Sequence, residues 1–284
     1  MIQPEQCDDV LRADFAAHGG PQDPRLHLWW LGQSGFLVRH AGRVFLFDPY
    51  LSDSLTRKYA DTDKPHVRLT ERCIEPGLLP RPEFVAASHV HTDHLDGDTL
   101  RPLARAHPGL PLVLPWPVLD EARRRLEGET VTFRPLEAGT RLEGEGWSLE
   151  AVASAHNELA TDEEGRHHCL GFILRSGPFT LYHSGDTLWH DGLVPVLRPL
   201  TCDVMLLPIN GNRPERRVAG NLNGTEAAAL ARACATRLVV PCHYDMFAFN
   251  TETTEEFERV CARLEQPQRV LHCGGRLSLE PVRA

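Results

Sequence analysis

The sequence predicts an α/β chain of four layers, in which two β-sheets face each other and helices cover the outside of each. Three observations lead there. Strand-like runs fall into two groups, one starting at Leu26 and one near Val131, and helical stretches follow each group. Several runs, such as Val44-Phe45-Leu46-Phe47 and Leu238-Val239-Val240, are apolar at every position, the mark of strands covered on both faces. No short repeat or low-complexity linker interrupts the pattern, so the expectation is a single domain over residues 1–284 with its core at about 26–280. Packing two sheets together under outer helices buries every apolar face.

Residues 26–31 read as the first strand, Gly32-Gln33-Ser34-Gly35 as a turn, and Phe36-Leu37-Val38 as its return. Ala41-Gly42 turns the chain into residues 44–47, which end in Asp48-Pro49. From Tyr50 to Pro82, prolines and mixed charges break any period and give a long loop holding one short helix. Long loops in compact domains tend to carry function. Residues 84–87 form a short buried strand, and 98–106 and 118–126 look helical. The second group takes in strands at 147–152, 170–174, 179–183 and 204–207. A helix follows over 225–235, with Asn223 as its N-cap and Glu226 as the capping-box partner. After the strand at 238–240, Thr253 caps a last helix to about Leu264, with Glu256 at the matching position. Two strands, 269–272 and 276–279, close the chain around Gly274-Gly275.

With 42% hydrophobic and 24% charged residues, the chain is an ordinary globular one, long enough to bury a core. Its formal net charge of -9 lacks the basic footprint that phosphate contact needs, so no nucleic-acid partner is expected. The 8 cysteines include no Cys-x-x-Cys pair, which argues against a structural zinc knuckle and fits reduced thiols. Residues 1–25 contain no apolar signal core, and no apolar run approaches ~20 residues. The expectation is a cytoplasmic protein without a membrane span.

The chemistry concentrates in Ser88-His89-Val90-His91-Thr92-Asp93-His94-Leu95-Asp96, directly after a buried strand. His89, His91, Asp93 and His94 place four potential metal ligands within six residues. A metal ion needs several neutral or anionic donors about 2 Å from one point. A loop leaving a rigid strand end can aim alternate side chains inward, whereas a merely solvated loop would not gather so many donors there. His156, Asp186 and His243 each stand where another apolar strand ends. Alone, each has a plainer reading. His156 suits a cap or core residue, Asp186 a turn residue after Gly185, and His243 has the rival donor Cys242 beside it. Gly185 would let the backbone approach an ion, and alternation turns Cys242 to the opposite face as core filler.

His-x-His-x-Asp-His, then a lone His, then Gly-Asp, then a final His resembles the pattern of the metallo-β-lactamase superfamily, from about Leu28 to Leu279. The resemblance implies an αββα sandwich with a binuclear site at one edge. His89, His91 and His156 would hold one ion, Asp93, His94 and His243 the other, and Asp186 would bridge them. Asp48 matches a residue that braces the metal loop. True β-lactamases of this fold lack the bridging carboxylate. The di-iron flavoproteins place a Glu where His91 stands and carry a flavodoxin domain, absent here. Trp29-Trp30-Leu31-Gly32, Tyr182-His183-Ser184-Gly185-Asp186-Thr187, Leu207-Pro208-Ile209-Asn210-Gly211-Asn212, Ala219-Gly220-Asn221-Leu222-Asn223 and Val240-Pro241-Cys242-His243-Tyr244-Asp245-Met246-Phe247 are similar to the L-ascorbate-6-phosphate lactonase family. Those enzymes open a sugar-acid lactone phosphate and are associated with manganese.

The implied cofactors are two divalent ions, manganese or zinc first, with iron or nickel also suited to His/Asp ligands. Two ions ~3.5–4 Å apart can share a hydroxide at neutral pH. That hydroxide would attack a lactone carbonyl while one ion steadies the oxyanion, with Asp93 and Asp186 at the centre of the chemistry. His183 and Tyr244, which flank ligands, are candidates to protonate the leaving group. Arg216, Arg217, Asn210 and Asn221 are candidates to hold an anionic substrate. Asp48, Asp96 and Asp245, with His272 as a further choice, are candidates to orient ligands or their loop. The expected substrate is a small anionic lactone of the sugar-acid phosphate type. A phosphodiesterase of small molecules or lipids is the alternative, followed by a tRNA-processing nuclease and a metal-dependent oxidoreductase. A non-catalytic scaffold would have lost ligands, and here all seven are present. Assembly into a homo-oligomer is compatible with the resemblance.

Overall fold

The computed structural model describes residues 1–282. Helix α1 (Asp8–Ala17) precedes an antiparallel run of β1 (Leu26–Gly32), β2 (Gly35–His40) and β3 (Arg43–Phe47). Helix α2 (Ser54–Lys58), β4 (Phe84–Ala86), α3 (Gly97–Ala106), β5 (Leu110–Pro115), α4 (Leu119–Arg125) and β6 (Val131–Leu136) follow. The second half runs β7 (Arg141–Gly144), β8 (Trp147–Ala153), β9 (Leu170–Ser176), β10 (Phe179–His183), α5 (Leu193–Leu197), β11 (Val204–Pro208), α6 (Gly224–Ala233), β12 (Val239–Cys242), α7 (Glu255–Arg263) and β13 (Arg276–Leu279). One sheet has the order β13-β1-β2-β3-β4-β5-β6 and the other β12-β11-β10-β9-β8-β7. Both are mixed: β3 to β6 pair in parallel in the first, and β10 to β12 in the second.

Alternation sorts the first sheet into its two faces. Leu28, Trp30, Phe36, Phe45, Phe47 and Phe84 join the layer between the sheets. Their neighbours Trp29, Leu31, Leu37, Leu46 and Val85 pack outward with Phe15 of α1 and Leu100 and Leu103 of α3. On the far side, Ala227 and Ala231 of α6 and Phe257 of α7 cover the second sheet. Each fully buried large side chain contributes ~1.5–3 kcal/mol. Asn223 caps α6 as expected: its Oδ1 accepts from the Glu226 amide at 2.9 Å, and the Glu226 carboxylate accepts from the Asn223 amide at 3.0 Å. No helix among the described residues is long and apolar enough to cross a membrane.

Four local expectations differ from the structure. The N-terminal stretch contains α1, unassigned from the sequence although it buries Leu11 and Phe15. Strand β5 was likewise unassigned. Its prolines, Pro111 and Pro115, flank the two residues that pair with β4, Leu112 and Val113, so they leave that ladder intact. Helix α7 starts one residue later than expected, with Thr254 at its N-cap and no side-chain cap bond. Glu256 instead accepts from Thr225 Oγ1 at 2.8 Å, which ties α7 to α6. Only one of the two closing strands forms. The segment after Pro267 makes a single bridge, Val239 to Gln268, and the chain returns to β1 through Gly274, whose amide donates to the Trp30 carbonyl at 2.7 Å.

Candidate metal centre

The seven ligand candidates all leave the C-terminal ends of strands. His89, His91, Asp93 and His94 follow β4, His156 follows β8, Asp186 follows β10 and His243 follows β12. The first four thus belong to one sheet and the last three to the other. The fold brings all seven together. His89, His91 and His156 form one group of three whose ligand atoms lie within 4.8 Å of one another. Asp93, His94 and His243 form a second, and His89, His94 and Asp186 a third between them. Asp186 Oδ1 stands 3.4 Å from His94 Nε2, and Oδ2 stands 3.5 Å from His243 Nε2 and 3.7 Å from His156 Nε2.

Three of these atoms test whether metal ions fit. His89 Nε2, His94 Nε2 and Asp186 Oδ1 are buried and have no hydrogen-bond partner among the described residues. Orphaned buried polar atoms are rare and costly. Here they converge, and they are the donor types that bind divalent cations.

A network behind the site aims these atoms. Asp48 is fully buried. Its Oδ2 accepts from His94 Nδ1 at 2.7 Å and from Ser88 Oγ at 2.6 Å, and its Oδ1 accepts from the Ser88 amide at 2.7 Å. A carboxylate only accepts, so His94 keeps a proton on Nδ1, and once it is neutral the lone pair lies on Nε2. Ser88 spends its proton on Asp48, which leaves Oγ to accept from His89 Nδ1 at 3.1 Å. His89 is therefore held in the same tautomer. His156 donates from Nδ1 to the Gly220 carbonyl at 3.0 Å, so its Nε2 also faces the site. This is the outer support that metal-binding imidazoles require.

Charge favours the ligating state at His89 and His156 but protonates His94 until an ion displaces its proton. Burial and the neighbouring imidazoles push His89 well below the ordinary imidazole range, and burial lowers His156. Both are neutral and ready to ligate. Burial opposes a charge on His94, but Asp186, Asp48 and Asp93 together raise it well above that range. Burial likewise opposes ionised Asp186, yet His94 and His243 hold its carboxyl well below the usual carboxylate range.

Gln33 was not singled out from the sequence. It sits in the turn between β1 and β2 at φ 52, only 2% exposed. Its Nε2 donates to Asp93 Oδ2 at 2.8 Å and lies 3.0 Å from His243 Nε2, and its carbonyl accepts from the His243 amide. The available signal was a polar residue in a tight turn between two largely apolar strands.

The remaining candidates take other places. His183 lies behind the site, buried, stacked on Phe47, with Nε2 donating to the Ser34 carbonyl at 2.8 Å. Tyr244 stacks on Trp30 and gives its hydroxyl proton to the Leu271 carbonyl. Neither lines the cavity, which corrects the expectation of proton donation. Asp96 caps α3 and accepts from Ser52, Ser54 and Thr99 hydroxyls, so it braces the loop rather than an imidazole. Asp245 touches no ligand through its carboxylate, and His272 is exposed. Arg216 is tied to Glu252, Thr251 and the Asn210 carbonyl, and the buried Asn210 and Asn221 bond each other at 3.0 Å. These three are corrected from substrate contacts to supports. Arg217 does line the cavity, paired with Asp63. Gly185 has φ +58, and an added Cβ would meet Ser88 Cβ at 2.5 Å, so it serves the close approach of two strand ends rather than of an ion. Cys242 is buried core, as expected.

A cavity of about 280 Å³ opens over the ligands. His91, Asp93, His156, Asp186 and His243 form its floor. Lys58, Tyr59, Lys64 and His66 from the loop after β3 form one wall, and Arg217, Val218 and Ala219 another.

Comparison with known proteins gives the following. The family model described as Beta-lactamase superfamily domain matches residues 43–244. A UPF0173 metal-dependent hydrolase of Methanoculleus marisnigri is 25% identical over 242 residues, 84% of this chain and 89% of its own. One from Carboxydothermus hydrogenoformans is 27% identical over 255 residues, 88% of this chain and 98% of its own. Among solved structures, the isothiocyanate hydrolase from Delia radicum gut bacteria is similar with a TM-score of 0.71 at 17% identity, covering 90% of this chain and 100% of that one.

Proposed function

This chain belongs to the β-lactamase superfamily as a metal-dependent hydrolase of its αββα fold, and from that premise we propose a binuclear enzyme that opens the lactone ring of a small anionic metabolite. The observation that carries the reading is the convergence of His89 Nε2, His94 Nε2 and Asp186 Oδ1, buried and without partners, beneath one cavity. His89, His91 and His156 would hold one divalent ion, and Asp93, His94 and His243 a second, with Asp186 shared. Manganese and zinc are the first candidates. Such ions, when bound, supply an acidified water and positive charge for the oxygen that turns negative in acyl transfer.

The chain's own residues do the rest. Asp48 and Ser88 keep His89 and His94 in the ligating tautomer. Gln33 fixes Asp93 through Oδ2. Asp93 lines the cavity and is the group placed to take the attacking water's proton and pass it to the leaving alkoxide. Tyr59, Val218 and Ala219 line the cavity and would shield a ring seated there from bulk water. A phosphodiester is the second substrate class, favoured by the basic side chains that line the cavity beside the candidate ligands.

The test is metal analysis of protein purified without chelator, followed by assay with neutral and anionic lactones and bis(p-nitrophenyl) phosphate under added Mn²⁺ or Zn²⁺. About two ions per chain with metal-dependent lactone opening is the expected result. Turnover of the phosphodiester alone moves the function to the second class. No bound metal and no activity with any ion would overturn the reading.

A further inference from the structure

The chain holds 30 lysines and arginines together, and only two of them, Lys58 and Lys64, are lysines. Both line the cavity over the metal centre. Arginine does the ion pairing elsewhere, as in Arg68 with Asp53, Arg125 with Glu121 and Arg276 with Asp14. Neither lysine has a carboxylate partner among the described residues. Lys58 Nζ reaches only Thr92 Oγ1, at 3.4 Å, and lies 5.1 Å from the Tyr59 ring centre. Lys64 is half-buried, and its Nζ donates to the Arg217 carbonyl. An ammonium has three donors, so each keeps most of its capacity unused.

The loop that carries them is firmly seated. Leu55 and Tyr50 pack with Met246 and Phe247. Ser52 and Ser54 donate to Asp96 at the start of α3, the helix that follows the ligand loop. Beside the lysines, Arg217 is already neutralised by Asp63, and burial lowers His66, whose Nδ1 donates to the Lys64 carbonyl at 2.8 Å. The free positive charge of this wall is therefore the two ammoniums. In an acidic chain, two unpaired cations on the wall of an open cavity form a seat for an anion. A compact ammonium suits such a seat as a point charge, where arginine's fork prefers fixed planar partners.

We propose that Lys58 and Lys64 hold the anionic group of the substrate, a phosphate or a carboxylate, at the cavity wall while the reacting carbonyl lies over the ligands. The inference rests on the hydrolytic reading for its kinetics, but the anion seat can be tested without turnover. Because the lysines are unique, acylation of the metal-loaded protein with acetic anhydride, read by peptide mass spectrometry, reports on them alone among side-chain amines. Inorganic phosphate and acetate are the two probes. The expected result is that one anion slows acylation of both lysines several-fold, and which anion does so names the source. In parallel, kcat/KM is measured for lactones bearing a phosphate, a carboxylate or neither, with the wild type, K58M/K64M and K58R/K64R. The preference for the charged lactone should fall roughly 10- to 100-fold in K58M/K64M and recover in part in K58R/K64R, mainly through KM. Unchanged acylation with both anions, together with unchanged charge preference, overturns the proposal and leaves the hydrolase reading intact. If the wild type opens no lactone, the lactonase reading fails, and protection by the anions alone decides the seat.

Discussion

Replacing Asp48 with Asn probes how the protein sets the lone pairs of its ligands. The wild-type carboxylate accepts three bonds of 2.6–2.7 Å, from His94 Nδ1, Ser88 Oγ and the Ser88 amide. An asparagine that still accepts from the Ser88 amide turns its NH₂ toward His94 Nδ1, donor against donor at 2.7 Å. His94 then either moves its proton to Nε2 and loses its ligating lone pair, or leaves a buried donor unmade at about 1–3 kcal/mol. At about 1.4 kcal/mol per decade, that predicts a loss of roughly 10- to 100-fold in affinity for the ion at Asp93, His94 and His243. The ion at His89, His91 and His156 should weaken less, because Ser88 relays the change. The assay is chelator competition with Zn²⁺ and Mn²⁺, metal counting at each step, and circular dichroism to confirm the fold. A D48N protein that binds two ions with wild-type affinity would refute the tautomer argument.

Three further outcomes are expected. Gly185→Ala forces a side chain into φ +58 and against Ser88 Cβ at 2.5 Å. Left-handed backbone plus overpacking costs roughly 2–5 kcal/mol, so Tm should drop by about 5–15 °C, and a drop under 2 °C would show that the strand ends can part freely. Gln33→Ala removes the 2.8 Å bond to Asp93 and should weaken the second ion roughly tenfold while sparing the first, as read by metal titration. Metal loading of chelator-stripped protein should release protons. His94 is raised above the ordinary imidazole range, with burial opposing and Asp186, Asp48 and Asp93 prevailing, so at neutral pH the ion must displace its proton. Affinity at that group should therefore rise with pH until His94 is deprotonated. It should stay flat at neutral pH for the group of His89, which burial keeps neutral. Calorimetry in two buffers of different ionisation enthalpy measures the proton count, and zero release at both groups would contradict this.

The cluster of candidate ligands was legible in the sequence because donors are legible by type and place. Four within six residues after a buried strand, and three more at later strand ends, leave little else for the chain to build. What escaped depends on where side chains turn after a strand stops. His243 and Asp245 both adopt positive φ, 63 and 56, so strand alternation fails past Cys242 and Tyr244 swings into the core beneath Trp30. Gln33 matters only because folding carries it to residues 60 and 210 positions away. Arg216 looked like an anion donor because its partner Glu252 lies 36 residues on, and Lys58 and Lys64 were not singled out because only the folded loop brings them to the cavity. Proline hid β5, since its two prolines stand just outside the pairing with β4.

Each candidate group of three draws residues from both sheets, so any ion held there would span the seam between them. Metal–ligand distances tolerate only about 0.2 Å, and the width of that seam is set by what fills it. Phe47 meets Phe172 across the layer at 6.5 Å between ring centres, and Phe36 meets His183 at 6.0 Å. These rings act as spacers: their thickness gauges the gap across which coordination must close. A core residue that touches none of the candidate ligands would thereby set the geometry of any ions they hold.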